Sequence, residues 1–363
     1  MDKTLFLEFT MLFIVAWVTL YVGRKGARLV GLVDKPNERK HHDGAIPLVG
    51  GLSVGLTVIA FALYHSAQYP QTLVYVFCVA ILLIVGVLDD RFDISFKSRL
   101  VVQALLSLIM INLAEIELHY LGNLFGFGGI ELGWLGAVVT IVAVIGAINA
   151  FNMVDGIDGL LGGLSMVTFF SLSIALWLSG DTVLVYACMV FVVAMLPYVL
   201  FNLAIFGKKR KVFMGDAGSM VIGFSVVWLL LSSTQTAVHS LEPITVVWFI
   251  AIPLCDMASI MMRRIKRGDS PFKPDRDHLH HIFLRLNLSS RQTLAAICSI
   301  ALMCSGFGLL GQLLDLPEYF MFGAFVLLFA AYHYTLSHVW VLTKRIRERL
   351  ALRRRESLER DIA

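Results

Sequence analysis

Long apolar stretches alternate with short polar ones along nearly the whole chain. A helix needs about 20 mostly apolar residues to cross the hydrocarbon core of a bilayer. Eleven stretches come near that length, and each is predicted to form a spanning helix. They are 4–22, 46–64, 72–88, 100–116, 133–151, 160–179, 182–203, 217–234, 243–262, 293–312 and 319–341. The pattern therefore predicts an all-α, polytopic membrane protein.

The composition supports this interpretation. Of the 363 residues, 58% are apolar and 15% are charged, with a mean hydropathy of +0.79. Soluble domains carry about 25% charged residues. These values exclude a soluble globular enzyme, a disordered protein and a nucleic-acid-binding module as the main interpretation.

The basic residues predict how the chain is oriented. If the eleven stretches span in turn, 29 of the 30 Lys and Arg residues fall on one side, and only Lys3 falls on the other. Lys and Arg accumulate in cytoplasmic loops, so we expect that side to be cytoplasmic and the N-terminus to be outside. Residues 1–342 are then one integral-membrane domain, and 343–363 form a basic cytoplasmic tail. The cytoplasmic loops are 23–45, 89–99, 152–159, 204–216 and 263–292.

The first group of candidate site residues lies in LDDRFDISFKSR, 88–99, after the third stretch. Asp89 and Asp90 fall at the C-terminal end of a predicted helix, where the helix dipole disfavours carboxylates. Either they merely flank a span, or they bind a cation or accept a proton. Lys97 has two interpretations as well, a phosphate contact or part of the positive cytoplasmic flank.

The second group is NAFNMVDGIDGLLGG, 149–163. Asn149, Asn152, Asp155 and Asp158 recur every three residues, a spacing that places neighbours on one face of a helix. Asn and Asp with Gly also form ordinary turns. The connection contains no Lys or Arg, so we expect the positive charge to come from elsewhere.

The third group is VFMGDAGS, 212–219, where Asp216 opens the eighth stretch. Aspartate is a favoured N-cap, which is the simplest interpretation. Free backbone N–H groups beside Gly215 and Gly218 would also suit a phosphate at a helix start.

The fourth group is PDRDHLHH, 274–281, in the longest cytoplasmic loop. His278 and His281 are one helical turn apart, and His280 is expected to face elsewhere. The alternatives are a zinc site, for which this spacing is weak, a diphosphate site shared with Arg276, and a solvated loop. Asp256, inside the ninth stretch, is interpreted as a satisfied polar packing residue.

Clustered carboxylates raise one another's pKa unless a cation neutralises them. Mg²⁺ or Mn²⁺ fits, held by one or two carboxylates and by substrate phosphates. The pattern therefore indicates phosphate chemistry at the membrane surface, between a lipid and a soluble compound. A transporter or lipid flippase is the alternative, but its acids should lie near the bilayer midplane rather than at span ends.

These motifs, together with GLVDKPNERKHHDGAIPLVGG at 31–51, resemble in content and order the polyprenyl-phosphate N-acetylhexosamine-1-phosphate transferases. The resemblance covers Gly31 to about Arg285. The HxHH pattern of His278, His280 and His281 is similar to the bacterial branch that loads GlcNAc. The muramoyl-pentapeptide branch would show three consecutive histidines.

The resemblance implies a reaction in the bacterial inner membrane, with the active site facing the cytoplasm. GlcNAc 1-phosphate passes from UDP-GlcNAc to undecaprenyl phosphate, giving GlcNAc-diphosphoundecaprenol and UMP. This is the first membrane step of O-antigen and enterobacterial common antigen synthesis. Another UDP-N-acetylhexosamine is an alternative donor. Direct displacement and a covalent aspartyl intermediate both stay open, and so does the oligomeric state, for which a homodimer is one alternative.

The resemblance also implies roles for the candidate residues. Mg²⁺ or Mn²⁺ would be held by Asp216 with help from Asn152. The remaining roles are catalytic for Asp89, Asp90, Asp155 and Asp158, and substrate-binding for Asn149, Asn152, Lys97, Arg276, His278, His280 and His281.

Overall fold

The computed structural model describes residues 3–36, 44–66, 71–235, 240–271 and 278–338, and nearly all of its regular structure is helical. The helices are α1 Lys3–Val30, α2 Gly50–Tyr64, α3 Gln71–Phe92, α4 Phe96–Ala114, α5 Leu135–Met153, α6 Leu160–Ser179, α7 Thr182–Asn202, α8 Gly215–Thr234, α9 Pro243–Phe249, α10 Ala251–Lys266, α11 Leu279–Arg285, α12 Ser290–Leu313 and α13 Glu318–Ser337. Two short strands, β1 Val33–Asp34 and β2 Ile46–Pro47, pair antiparallel. The prediction of an all-α polytopic membrane protein is confirmed.

Each of the eleven predicted stretches contains a helix, but two differ from a straight span. Within the described ranges, nine helices are long and apolar enough to cross a membrane. The ninth predicted stretch is instead a bent pair, α9 and α10, with an angle of 82° between them. Pro253 lies in the first turn of α10, where it has no N–H to donate and crowds the carbonyl four residues earlier, so a continuous helix is broken there.

The second predicted stretch is also shorter than expected. Its first residues form β2, where Ile46 pairs with Asp34, and α2 then has only 15 residues. The amides of Gly50 and Gly51 donate to the carbonyls of Phe213 and Met214, both at 2.9 Å. The chain before α2 is therefore tied to the chain that leads into α8.

Helix α8 forms the centre of the bundle and packs mainly against α3 and α5, with α2 also beside it. In the most apolar 18-residue segment of α8, 94% of the residues are buried. Two glycines on its neighbours allow the backbones to touch. A Cβ on Gly86 would lie 2.2 Å from Ala217 Cα, and one on Gly51 would lie 2.2 Å from Gly218 Cα. This packing fixes the start of α8 against the end of α3.

Candidate active site

The carboxylate of Asp90, at the end of α3, covers the first amides of α8. Its Oδ1 accepts a hydrogen bond from the Asp216 amide at 2.8 Å, and its Oδ2 accepts one from the Ala217 amide at 3.3 Å. Gly215 has a φ of +76°, and a Cβ there would lie 2.4 Å from Asp90 Oδ2. The carboxylate that the dipole of α3 disfavours thus sits at the positive end of another helix. The amides of Asp216 and Ala217 are occupied by Asp90 rather than free for a phosphate.

Asp89 is almost fully buried and is paired with an arginine that the sequence analysis did not single out. Arg99 Nη1 lies 2.5 Å from Asp89 Oδ2 and 3.9 Å from Asp216 Oδ2. Lys97 is exposed on the first turn of α4, and no ion pair is recorded for it among the described residues. Arg99, two residues later on the same helix, is the cation that reaches the aspartates.

Asp216 does not act as the N-cap of α8, so that interpretation is wrong. The N-cap is Met214, without a side-chain cap, and Asp216 lies in the first turn. The amide nitrogen of Asn152 donates to Asp216 Oδ1 at 2.5 Å and to Ser219 Oγ at 2.8 Å. The Asp216 side chain remains 36% exposed. We call Asp89, Asp90, Asn152 and Asp216 the acidic cluster.

The Asn and Asp series does not lie on one helix face, because α5 ends at Met153 and a loop follows. Asn149, inside α5, donates to the Ile145 carbonyl at 2.7 Å and to Gln103 Oε1 at 3.4 Å. Asp155 is exposed in the loop. Asp158 forms an ion pair with Lys211 at 2.7 Å. Lys211, in the segment before α8, therefore supplies this positive charge from outside the connection, as expected.

A buried asparagine ties this loop to the segment before α8. Asn202, at the end of α7, accepts from the Gly159 amide at 2.5 Å and donates to the Val212 carbonyl at 2.9 Å. The local sequence contained no sign of this role for Asn202, because both partners are distant along the chain. Gly159 lies more than 40 residues before it, and Val212 lies 10 residues after it. It holds Asp158 and Lys211 in neighbouring segments.

The histidines form a second group, the histidine cluster, made of His278, His280 and His281. His278 directly precedes α11, and the other two lie in its first turn. The rings of His278 and His280 are nearly parallel with centroids 5.5 Å apart, and those of His280 and His281 are 4.2 Å apart. Arg276, which is predicted to bind a diphosphate together with this group, lies outside the described residues.

Asp256 anchors the histidine cluster and is more than a packing residue. Its Oδ2 lies 2.8 Å from His278 Nδ1, and its Oδ1 accepts from the Leu279 amide at 3.1 Å and from the Tyr332 hydroxyl at 2.7 Å. A carboxylate inside an apolar stretch was the signal that could have shown this, because such residues are usually functional.

His280 points toward the loop after α5. It is 3% exposed, and its Nε2 has no hydrogen-bond partner. A Cβ on Gly156 would lie 2.1 Å from that Nε2, so a larger residue at 156 would displace the ring. Burial, with smaller effects of His281 and His278, lowers the pKa of His280 to about 3. The ring is therefore neutral near pH 7, and the histidine cluster meets the loop that also carries Asp158.

The donor atoms of the acidic cluster are those that a hard divalent ion prefers. Among the described residues, no three His, Cys, Asp or Glu side chains converge enough to hold a metal by themselves, which gives the zinc alternative no support. Mg²⁺ needs only one or two carboxylates, because waters and substrate phosphates complete its octahedron. Asp90 is occupied by amides and Asp89 by Arg99, so the half-buried Asp216 is the carboxylate that fits this role.

Comparison with known proteins identifies the family. Residues 72–234 match the model of glycosyl transferase family 4. The chain is 46% identical over 353 residues to "Undecaprenyl-phosphate alpha-N-acetylglucosaminyl 1-phosphate transferase" of Salmonella typhi, covering 96% of both chains. It is 47% identical over 342 residues to the protein of that name from Pasteurella multocida, covering 94% of this chain and 96% of the relative. The chain belongs to this family of transferases.

Because the chain belongs to this family, the protein is a membrane phosphotransferase. This conclusion takes the place of the alternative interpretation as a transporter or lipid flippase. The protein of the same name from Escherichia coli strain K12 is 44% identical over 344 residues, which are 93% of this chain and 94% of that one. The family model covers the acidic cluster and the loop after α5, whereas the histidine cluster lies beyond it. The transferase relatives cover nearly the full chain, and so both clusters fall within a shared sequence.

Proposed function

We propose that the protein transfers GlcNAc 1-phosphate from UDP-GlcNAc to undecaprenyl phosphate, releasing UMP. The single observation that carries the proposal is the acidic cluster. Asp89, Asp90 and Asp216 come from two helix ends and share one hydrogen-bonded network with Asn152 and Arg99. With a divalent cation bound to it, such an arrangement would suit two anionic substrates that must approach each other. The names of the relatives supply the sugar and the lipid.

In the proposed reaction, an oxygen of undecaprenyl phosphate attacks the phosphorus that carries the sugar. A new P–O bond forms, the bond from that phosphorus to the UMP oxygen breaks, and UMP leaves as an anion. A phosphate monoester has its second pKa near 6, so the attacking oxygen is already largely deprotonated at pH 7. The protein then has to position two anions and to stabilise the charge that develops between them.

We assign Asp216 to the metal, with Asn152 holding its carboxylate in place. A bound Mg²⁺ or Mn²⁺ would neutralise phosphate charge and act as a Lewis acid. Arg99 lies beside the same carboxylates and is placed to contact a phosphate. Asp89 and Asp90 end a spanning helix, so we assign them to the lipid-phosphate side of the site, where Asp89 orients Arg99 and Asp90 orients the start of α8.

We assign the loop after α5 and the histidine cluster to the nucleotide sugar. The loop contains the exposed Asp155 and also Asp158, which pairs with Lys211, and His280 contacts the same loop at Gly156. Neutral imidazole donates hydrogen bonds to a diphosphate without adding a full charge. Arg276 belongs to the same proposal through its place in the sequence motif.

An assay of the purified protein in detergent tests the function. Radiolabelled UDP-GlcNAc, undecaprenyl phosphate and Mg²⁺ should yield labelled lipid and UMP without any membrane gradient. UDP-GalNAc serves as the matched donor and should react more slowly. If product formed from UDP-GalNAc but not from UDP-GlcNAc, UDP-GalNAc would replace UDP-GlcNAc as the proposed donor. If neither donor gave product, the proposal would be contradicted.

We further propose that the protein lies in the bacterial inner membrane with both clusters facing the cytoplasm, and that it begins O-antigen and enterobacterial common antigen synthesis. Cysteine labelling in a Cys-free background tests the orientation. An impermeant reagent outside the cell should label Phe127→Cys, which replaces a 97% exposed residue, and should miss Ser270→Cys. Labelling of Ser270→Cys but not Phe127→Cys would reverse the orientation.

A further inference from the structure

The buried carboxylate of Asp256 joins three separate parts of the chain. It lies in α10 and is only 2% exposed. His278 contributes a ring nitrogen, Leu279 contributes the first amide of α11, and Tyr332 contributes a hydroxyl from α13. Burying a carboxylate is costly unless it is well hydrogen-bonded, and three donors meet that requirement.

The contact with His278 also decides the orientation of that ring. A carboxylate that accepts from Nδ1–H places the proton on Nδ1 and turns Nε2 away from α10. His278 in turn stacks on His280, with an interplanar angle of 10°. His280 Nε2 then reaches Gly156 in the loop after α5. One chain of contacts therefore runs from Asp256 through two histidines to that loop.

Tyr332 connects this chain of contacts to the last described helix. Only 11% of the most apolar part of α13 is buried, so most of this helix faces outward from the bundle. The Tyr332 hydroxyl nevertheless donates to Asp256 at 2.7 Å, and Arg263 of α10 donates to the Leu336 carbonyl at 3.0 Å. A tyrosine at the edge of the bundle thus supports the residue that orients His278.

We propose that Asp256 and Tyr332 are positioning residues for the nucleotide sugar. They act through His278 and α11, and neither is assigned a contact with the substrate. The inference rests on the proposed function, because it assumes that the histidine cluster binds the donor diphosphate. Loss of either residue should weaken the binding of UDP-GlcNAc and leave the affinity for undecaprenyl phosphate unchanged.

The same two helices provide a matched control. Ser259 Oγ of α10 lies 3.0 Å from His333 Nδ1 of α13. This polar contact is one turn along α10 from Asp256 and is next to Tyr332 in sequence, but it does not touch α11. Ser259→Ala removes a contact between the same helices without affecting His278.

The experiment compares Asp256→Asn, Tyr332→Phe and Ser259→Ala by calorimetric titration with UDP-GlcNAc and by steady-state kinetics. Loss of one hydrogen bond to a charged group corresponds to about a tenfold to hundredfold loss. Asp256→Asn should raise the Kd for UDP-GlcNAc within that range, and Tyr332→Phe should raise it by about threefold to tenfold. KM for undecaprenyl phosphate and kcat at saturating donor should stay within about twofold. Ser259→Ala should change none of these values.

Equal effects in Ser259→Ala and Tyr332→Phe would overturn the proposal, because they would indicate general loosening of α13. An unchanged Kd for UDP-GlcNAc in Tyr332→Phe would overturn it as well, even if Asp256→Asn fails to fold. If the wild-type protein itself does not bind UDP-GlcNAc, the proposed function fails. That result differs from failure of the positioning role, in which the wild type binds UDP-GlcNAc and Tyr332→Phe binds it equally well.

Discussion

The acidic cluster and the histidine cluster are carried by helices of very different length and packing. The acidic cluster sits on α3, α5 and α8, helices of 19 to 22 residues whose backbones touch at glycines. The histidine cluster sits at a helix of seven residues, too short to be stable alone, and one buried carboxylate holds its start. Changes in the acidic cluster should therefore affect packing and chemistry together, whereas changes in the histidine cluster should mainly affect binding.

The largest effect is expected from Asp216→Asn. If Asp216 holds the metal, turnover should fall by at least about a hundredfold and lose its Mg²⁺ dependence, because the lost group stabilises developing charge. Turnover against Mg²⁺ concentration measures this. Asp93→Asn, which changes an exposed aspartate just beyond α3, is the control. Near-normal turnover with an unchanged Mg²⁺ response would show that the metal lies elsewhere.

A pair of variants then separates the two clusters. Asp90→Asn removes one of the two acceptors at the start of α8, so turnover should fall by about tenfold or more while UDP-GlcNAc still binds. His281→Ala should weaken UDP-GlcNAc binding by about tenfold to a hundredfold, with little change in KM for undecaprenyl phosphate. Calorimetry with UDP-GlcNAc decides between them. Loss of the nucleotide in Asp90→Asn and its retention in His281→Ala would reverse the assigned roles.

The close packing of the acidic cluster can be tested without touching a polar group. Gly86→Ala forces α3 away from Ala217, which should destabilise the fold by about 1–3 kcal/mol and lower turnover by about tenfold. Melting in detergent and a turnover assay measure both changes. Gly323→Ala is the control, since a Cβ there meets nothing within 4 Å. Equal behaviour of the two variants would argue against the importance of the α3–α8 contact.

The smallest effect concerns pH and the histidine cluster. Because burial and the neighbouring rings of His281 and His278 lower the pKa of His280 to about 3, the folded protein leaves this ring neutral between pH 7 and pH 4. The unfolded chain takes up a proton near pH 6.5, so stability should fall as pH drops below that value. The nearby Asp256 only partly opposes the shift.

Melting at pH 7 and pH 5 checks this expectation. The wild type should lose several degrees more than His280→Gln, which cannot titrate in this range. An equal loss in both proteins would assign the pH dependence to other groups.

The sequence predicted which residues gather at the site better than it predicted their partners. Asp89, Asp90 and Asp216 could be placed at helix ends on one side, because hydropathy and Lys/Arg counts locate those ends. That Asp90 accepts from the amide of Asp216 could not be predicted, since the contact joins positions 126 residues apart. It depends on the close approach of α3 and α8.

Other misses have local causes. The spacing of three residues in the series from Asn149 to Asp158 indicated one helix face. However, α5 ends at Met153, and the glycines of the following loop favour a turn. Pro253 could have shown that the ninth stretch is broken. Asp256 was interpreted as a packing residue because its three donors come from 22, 23 and 76 residues away.

The central position of α8 has a consequence for how the protein is made. This helix is less apolar than α3, so lipid alone is a poorer environment for it. Its serines find partners inside the bundle, as when Ser225 meets the Tyr75 hydroxyl of α3 at 2.6 Å. The surrounding helices α2, α3 and α5 all precede α8 and are synthesised first. We therefore expect α8 to pack against helices that are already in the membrane, and Asp216, on α8, is the last residue of the acidic cluster to be synthesised.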